Sequence, residues 1–453
     1  MQSTLITREV INKNIKYGGI GSNNTLYDYD YLCKEIDRFK NILQHNNAQT
    51  GQSVFNFLKG IKSVALFFAS SELGLVTCVI DICPKTHQLY FQKENYLDAK
   101  SKSVMPINFV FLDKISIEKL KEEKSNKQKL YSELAEKVIV YDEHFDCSYN
   151  DTINAVGDSI LIKSCSSGTT GTPKSISHSH SFICKVAKRN SKSFYGSVMC
   201  TRIFHHGSSF ATFFLPTILS DRVDCIYYSY DKAKYRQQED YLKIIDHIQF
   251  PYPTDIKEFF KKTPSLYPQL NVYTLAKIHT GWKKHLGKKV KDIISLFGSS
   301  ETSGPIFTQH LSDENFEQDR FIDPDGWYDP KIIDGKLNLT GDRFEYNDDG
   351  SYKFLGRDDV VTIQGQQISL QEINYQAKKH IGYCHVTIDT VYDKVYLCIW
   401  NDEDDLSDEI EKFRSLYSLV FQTKFFSRIM DNKFLCGIKI DNEAIRDHFR
   451  WLT

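Results

Sequence analysis

Several signals are missing from this chain of 453 residues, and each absence excludes something. Charge of one sign is missing: 57 Lys and Arg face 58 Asp and Glu, a formal net charge of −1. No bulk field therefore directs the chain toward nucleic acid or an anionic membrane. Long hydrophobic runs are missing too. The apolar stretches at 64–70 and 210–219 fall well short of the roughly 20 residues a spanning helix needs. The eleven cysteines lack paired or metal-type spacing. Cys78 and Cys83 have no His/Cys pair nearby, which argues against zinc. A dispersed, odd set fits reduced thiols, so a cytoplasmic setting is expected. The opening Met1-Gln2-Ser3-Thr4 has no basic segment leading into an apolar core, and no secretory signal is expected. No repeat or low-complexity tract is visible.

What is present is ordinary in composition, with 41% apolar and 25% charged residues. The length suits two or three domains with a large core. Apolar runs at 63–69, 75–82, 105–112 and 137–141 read as strands, and the charged stretch 115–136 reads as a surface helix. Further strands are expected at 225–230 and 292–297, with helices at 238–248 and 255–262 between them. Lys336–Thr340 and 352–355 read as strands joined by the turn Asn347-Asp348-Asp349-Gly350. This alternation predicts an α/β architecture with a mostly parallel sheet. After Gly356 the character shifts to a small unit, with strands at 360–363, 385–390 and 394–400 and a helix at 404–420. A domain boundary is expected within 356–359.

The most informative stretch is Ser166-Ser167-Gly168-Thr169-Thr170-Gly171-Thr172-Pro173-Lys174. The apolar Ile160-Leu161-Ile162 before it reads as a buried strand. A strand entering a Gly/Ser/Thr loop that ends in Lys is how backbone N–H groups and one cation surround phosphates. A Walker A loop counted from Gly168 needs a second glycine at 173, where this chain has Pro173. Four more stations lie further along the chain. Phe297-Gly298-Ser299-Ser300-Glu301 leaves a strand through a glycine turn. There Phe297 can stack on a base, Ser300 can donate to a phosphate, and Glu301 can hold Mg²⁺ through oxygen. Thr340-Gly341-Asp342 precedes Gly356-Arg357-Asp358-Asp359. Residues 361–373 contain Gly365, and Cys436-Gly437-Ile438-Lys439 lies near the C-terminus.

In this order the motifs resemble the adenylate-forming (ANL) superfamily, which includes acyl- and aryl-CoA ligases, peptide-synthetase adenylation domains and luciferases. The resemblance runs from about Asp158 to the C-terminus; the first 150 residues match only in α/β character. It implies a large N-terminal core with mostly parallel sheets flanked by helices (1–356) and a small mobile α+β lid (359–453), hinged near Asp359. It implies ATP as substrate, Mg²⁺ on Glu301, and coenzyme A or a carrier-protein phosphopantetheine arm as acceptor. It places ribose recognition on Asp342 and Arg357, and a thiol tunnel at Gly365. Thr362 stands where many relatives carry Lys, which puts that lysine's role in doubt. The catalytic lysine corresponds to Lys439, with Lys433 as fallback, because one extra residue separates it from Gly437. For the acid pocket the resemblance points to His205, His206, Phe210, Gly281 and Trp282, with His205 gating the carboxylate and Phe213 beside Phe210. Trp282 reads equally as plain core. Relatives that activate amino acids carry an Asp in the 204–216 segment, and this chain has none there. A buried ammonium without a counter-charge is costly. The implied reaction is therefore activation of an aryl or short acyl acid without an α-amine, followed by transfer to a thiol. An amino-acid adenylating enzyme that loads a carrier protein, or a catalytically weakened nucleotide-binding relative, stay as alternatives.

Overall fold

The computed structural model describes residues 5–19, 25–56, 58, 60–79, 108–112, 137–166, 174–200, 210–228, 242–250, 256, 266–274, 288–299, 302, 304–313, 320–321, 332–333, 336–337, 342–357, 360–363, 366–381, 384–389, 394–399, 406–416, 425–429, 435–436, 439–440 and 445. The chain divides into two compact units, Met1–Trp327 and Tyr328–Thr453.

The first unit holds strands β1 (Lys16–Gly19), β2 (Leu26–Tyr27), β3 (Ser53–Asn56), β4 (Val76–Val79), β5 (Phe109–Leu112), β6 (Val138–Val140), β7 (Ile160–Ser166), β8 (Lys174–Ser179), β9 (Gly196–Cys200), β10 (Val223–Tyr228), β11 (His247–Gln249), β12 (Tyr267–Thr274), β13 (Val290–Ser299), β14 (Gly304–His310) and β15 (Arg320–Phe321). Its helices are α1 (Tyr29–His45), α2 (Gly60–Glu72), α3 (His180–Ser191) and α4 (Leu215–Leu219). One sheet runs β6-β5-β3-β4-β7-β8, parallel except for β7–β8. The other runs β14-β13-β12-β11-β9-β10-β1-β2, parallel except for its two outermost pairs. The expected mostly parallel α/β architecture is what the fold shows.

Local chemistry explains the helices. The Asp28 side chain caps α1 by accepting from the Tyr31 N–H at 2.9 Å. Leu32, Ile36, Phe39 and Leu43 then recur at helical spacing and are fully buried. The run 63–69, expected as a strand, lies instead within α2. The middle of that helix is apolar and buried on all sides, with Val64, Ala65, Leu66, Phe67 and Phe68 all at 0% exposure. An all-apolar run carries no period to separate a strand from a buried helix. The expected helix 238–248 gives way by His247, where β11 begins. Most of the expected helices 115–136 and 255–262 lies outside the described residues.

The second unit carries strands β16 (Ile332–Ile333), β17 (Lys336–Leu337), β18 (Asp342–Tyr346) and β19 (Tyr352–Arg357), paired antiparallel in that order. The turn at Asn347–Gly350 is real, with Gly350 at φ 81°, but the strand entering it is β18. The expected strand at Lys336–Thr340 is represented by β17, on the far side of β18. Then come a hairpin of β20 (Val360–Ile363) and β21 (Gln366–Ser369), helix α5 (Leu370–Ile381), and a sheet of β22 (Cys384–Asp389), β23 (Lys394–Ile399) and β24 (Phe425–Ile429). Helix α6 (Ser407–Leu416) precedes β24, and β25 (Leu435–Cys436) pairs with β26 (Lys439–Ile440). Ile373, Ala377 and Ile381 of α5 share a core with Val386, Val395, Leu397 and Phe413. The Asn374 amide ties α5 to β22: it donates to the Leu370 and Val386 carbonyls at 2.8 Å and accepts from the Val386 N–H at 2.7 Å.

Candidate active site

Both sheets of the first unit end in an antiparallel edge strand, and each edge hairpin carries one of the motifs. β7 leaves the parallel part of its sheet and returns as β8, with Ser166 and Lys174 as direct register partners. The ends of the Ser/Thr/Gly loop are thus held together across one strand pair. Ser167, Gly168, Thr169, Thr170 and Gly171 lie outside the described residues. In the other sheet β13 returns as β14, pairing Ser299 with Gly304. Ser300 and Glu301 fall in the four residues between and lie outside the described residues. Both loops leave the carboxyl ends of parallel strands, where open α/β sheets bind their ligands.

Phe297 is half-buried and Gly298 is exposed at the end of β13. The register slips between them: Phe297 pairs with Phe307, but Gly298 pairs with Pro305. The rings of Phe297 and Phe307 lie 6.2 Å apart at 37°. A bulge of this kind bends a strand and re-aims the chain beyond it. Phe307 carries no motif signal, and only the register exposes it as the partner of the motif ring.

In the second unit Asp342 and Arg357 are direct register partners at one end of β18–β19. Fifteen positions apart in sequence, they meet because the Asn347–Gly350 turn folds the hairpin back. A second bulge, between Arg343 and Phe344, lies immediately beside the pair. Asp359 lies outside the described residues. In the next hairpin Thr362 pairs with Gln367 and Ile363 with Gln366, so two residues, including Gly365, connect the strands. Cys436 pairs with Lys439. The additional residue between Gly437 and Lys439 thus falls in a two-residue hairpin connection. Lys433 and most of the expected helix 443–449 lie outside the described residues.

The acid-pocket candidates divide. The segment with His205 and His206 follows the carboxyl end of β9; it lies outside the described residues, as do Gly281 and Trp282. At β9 the chain order switches, with β10 on one side and β11 on the other. Phe210 opens a π-helical turn, Phe210–Phe214, that runs into α4. Its ring meets Phe67 of α2 edge-on at 4.7 Å. Phe213 meets Phe194 at 5.1 Å and Tyr273 of β12 at 5.3 Å. All of these rings are buried. The aromatic wall continues to His247 on β11, 5.4 Å from Phe194 and 4.5 Å from Tyr195. Neither ring nitrogen of His247 has a hydrogen-bond partner. Burial, then the nearby Lys291 and Arg222 charges, push its pKa down to about 3. Among the described residues no group of three or more His, Cys, Asp or Glu could hold a metal. Nor is any described helix long and apolar enough to cross a membrane.

No family model matches the chain. A stretch of 87 residues, 19% of the chain, is 32% identical to the malformin synthetase of Aspergillus luchuensis. The match spans 2% of that relative's length. Among solved structures, an anthranilate CoA ligase in complex with anthranoyl-AMP has a TM-score of 0.66 at 14% identity, covering 99% of this chain and 98% of its own. The adenylation domain of a keto acid-selecting peptide-synthetase module, bound to keto acyl adenylate, has a TM-score of 0.64 at 14% identity, covering 92% and 95%. The chain has the fold of the adenylate-forming superfamily, as its order of motifs implies.

Proposed function

We propose that this protein activates a carboxylic acid with ATP to an acyl-adenylate and then transfers the acyl group to a thiol. The favoured acid is an aryl or short acyl acid without an α-amine, and the thiol belongs to coenzyme A or a carrier-protein phosphopantetheine arm. The pairing of Ser166 with Lys174 across the mouth of the Ser/Thr/Gly loop is the observation that carries this reading. It draws the loop's two ends together, as a cradle for the β- and γ-phosphates requires. The carboxylate attacks the α-phosphate, and pyrophosphate leaves. Lys174 and the loop N–H groups stabilise the departing pyrophosphate, while Lys439 offsets charge that builds on the α-phosphoryl oxygens. Asp342 accepts from the ribose hydroxyls, with Arg357 opposite it, and Phe297 faces the adenine. Mg²⁺ usually takes one or two carboxylates plus phosphate oxygens, so the donor set of Glu301 and a nucleotide fits it. The ion would supply charge neutralisation there. His205 and His206, with Phe210, Gly281 and Trp282, border the acid. The small lid, residues 359–453, turns about Asp359, and Gly365 lines the approach of the thiol.

Acid-dependent ATP–pyrophosphate exchange over aryl, short acyl and amino acids tests the proposal. Exchange with aryl or short acyl acids is expected, falling at least about 100-fold in Lys439→Ala. No exchange with any acid, in folded protein that binds ATP, would overturn it in favour of a non-catalytic relative. A stretch that is 30% identical to a nonribosomal peptide synthetase of Aspergillus carbonarius favours one second reading, amino-acid adenylation for a carrier protein. Exchange with amino acids alone would select it.

A further inference from the structure

We propose that Phe307, on the return strand β14, is a positioning residue that holds the Phe297 ring for the adenine base. The inference rests on the reading of this site as an ATP site. Phe297 is half-buried at the carboxyl end of β13. A half-buried aromatic side chain with nothing behind it turns between rotamers, and a base stacking on it would have to fix that motion first. Phe307 supplies the backing. It is the direct register partner of Phe297, and opposed residues of an antiparallel pair share one face of the sheet. Its side chain is 0% exposed, so it belongs to the packed interior and moves little. The two rings are 6.2 Å apart and inclined at 37°, within the range of a favourable aromatic contact.

The register shift makes this pairing local to one residue. Phe297 opposes Phe307, the next residue of β13 opposes Pro305, and Ile306 lies between the two paired positions of β14. The ladder runs in register from Ile294 to Phe297, slips once, and resumes with Gly298 opposite Pro305 and Ser299 opposite Gly304. Phe297 is therefore the last side chain of β13 before the slip, and Gly298, which has none, is the first residue beyond it. Proline offers no backbone donor, so Pro305 contributes no N–H to the ladder opposite Gly298. The slip in register thus follows directly on the anchored ring.

A residue acting only through Phe297 has a signature that a structural core residue lacks. Phe307→Leu keeps apolar volume and removes the ring. The expected result is an apparent KM for ATP raised roughly 3–10-fold, with kcat within about twofold and the KM for the acid unchanged. In a Phe297→Leu background the same substitution is expected to add nothing further, because the ring it positions is gone. If the Leu variant does not fold, Phe307→Met serves in its place. An unchanged ATP KM in Phe307→Leu, with a raised one in Phe297→Leu, would overturn the proposal and leave the ATP site standing. Equal effects of Phe307→Leu with and without Phe297 would overturn it as well, since they mark general packing. Absence of acid-dependent exchange in the unaltered protein would instead remove the reading beneath it.

Discussion

Two buried polar regions of the first unit handle the same problem in opposite ways. Beneath α1 and α2, charges are kept and paired. Glu72, 1% exposed, receives Arg8 through both carboxylate oxygens at 2.9–3.2 Å and Lys40 at 2.9 Å. Arg8 also reaches Asp37 at 2.8 Å, and Lys40 donates to the Asn150 carbonyl at 2.6 Å. Burial alone would raise the Glu72 carboxyl, but hydrogen bonds and charge from Arg8, and then Lys40, hold it below its usual value. His247 and His180, by contrast, are buried as neutral rings. His180 accepts from the Ile6 N–H at its Nδ1, 3.2 Å away, so its proton sits on Nε2, which has no partner. Burial pushes its pKa down to about 4. One region keeps its charge by supplying partners, while the other gives up charge because partners are missing.

The contrast makes different demands when broken. Glu72→Ala leaves Arg8 and Lys40 without their shared carboxylate, and Lys40 is wholly buried. It is expected to cost about 3–5 kcal/mol, the largest effect here, read as the shift in urea midpoint by circular dichroism. The pH response separates the regions next. A histidine whose folded pKa lies below its unfolded value makes the unfolded state bind more protons. His180 and His247 should therefore each remove stability as pH falls below 6.5, down to about 4 and about 3 respectively. Each contributes about 1.4 kcal/mol per pH unit across its window. Glu72 acts in a lower window. Its folded pKa is depressed from 4.5, so its contribution is complete above that value and lost as pH falls through the folded pKa. Stability measured against pH in His247→Phe should lose part of the slope between pH 6.5 and about 3 while keeping the losses due to His180 and Glu72. An unchanged slope would refute a neutral buried His247.

A smaller effect is expected at the strand beside His247. Gly196 opens β9 at φ 61°, and a Cβ there would stand 2.1 Å from Asp246 Oδ2. That oxygen accepts from the Ser197 N–H at 2.9 Å. Gly196→Ala should cost at least about 1–2 kcal/mol from the left-handed backbone alone, seen as a lower urea midpoint. The smallest effect belongs to Lys291, an exposed residue whose charge helps hold His247 neutral. Lys291→Met should move the acid limb slightly toward lower pH, because protonated His247 then meets one positive charge fewer.

Most strands that alternate with polar stretches were legible in the sequence, and so were the strand at 360–363 and the turn at 347–350. Local chemistry decides them: β-branched and aromatic runs, and a glycine where φ is positive. The run 63–69 was misread because an element buried on every side has no polar face to mark its period. The strand β18 was missed because Asp342–Tyr346 alternates charge with aromatic side chains and looks like a loop beside Gly341.

The same division holds for the candidate site. Residue type and order along the chain are local information, and by themselves they determined the motifs from Ser166 to Lys439. They also carried the resemblance that implied the fold the similar structures share. Which side chains meet is not local information. The tertiary structure alone decided that Ser166 is paired in register with Lys174 and Asp342 with Arg357, and that the Phe297 ring rests against Phe307. Register is set by strand pairing, turn geometry and the bulges between, and a shift of one residue would turn each of these side chains to the other face.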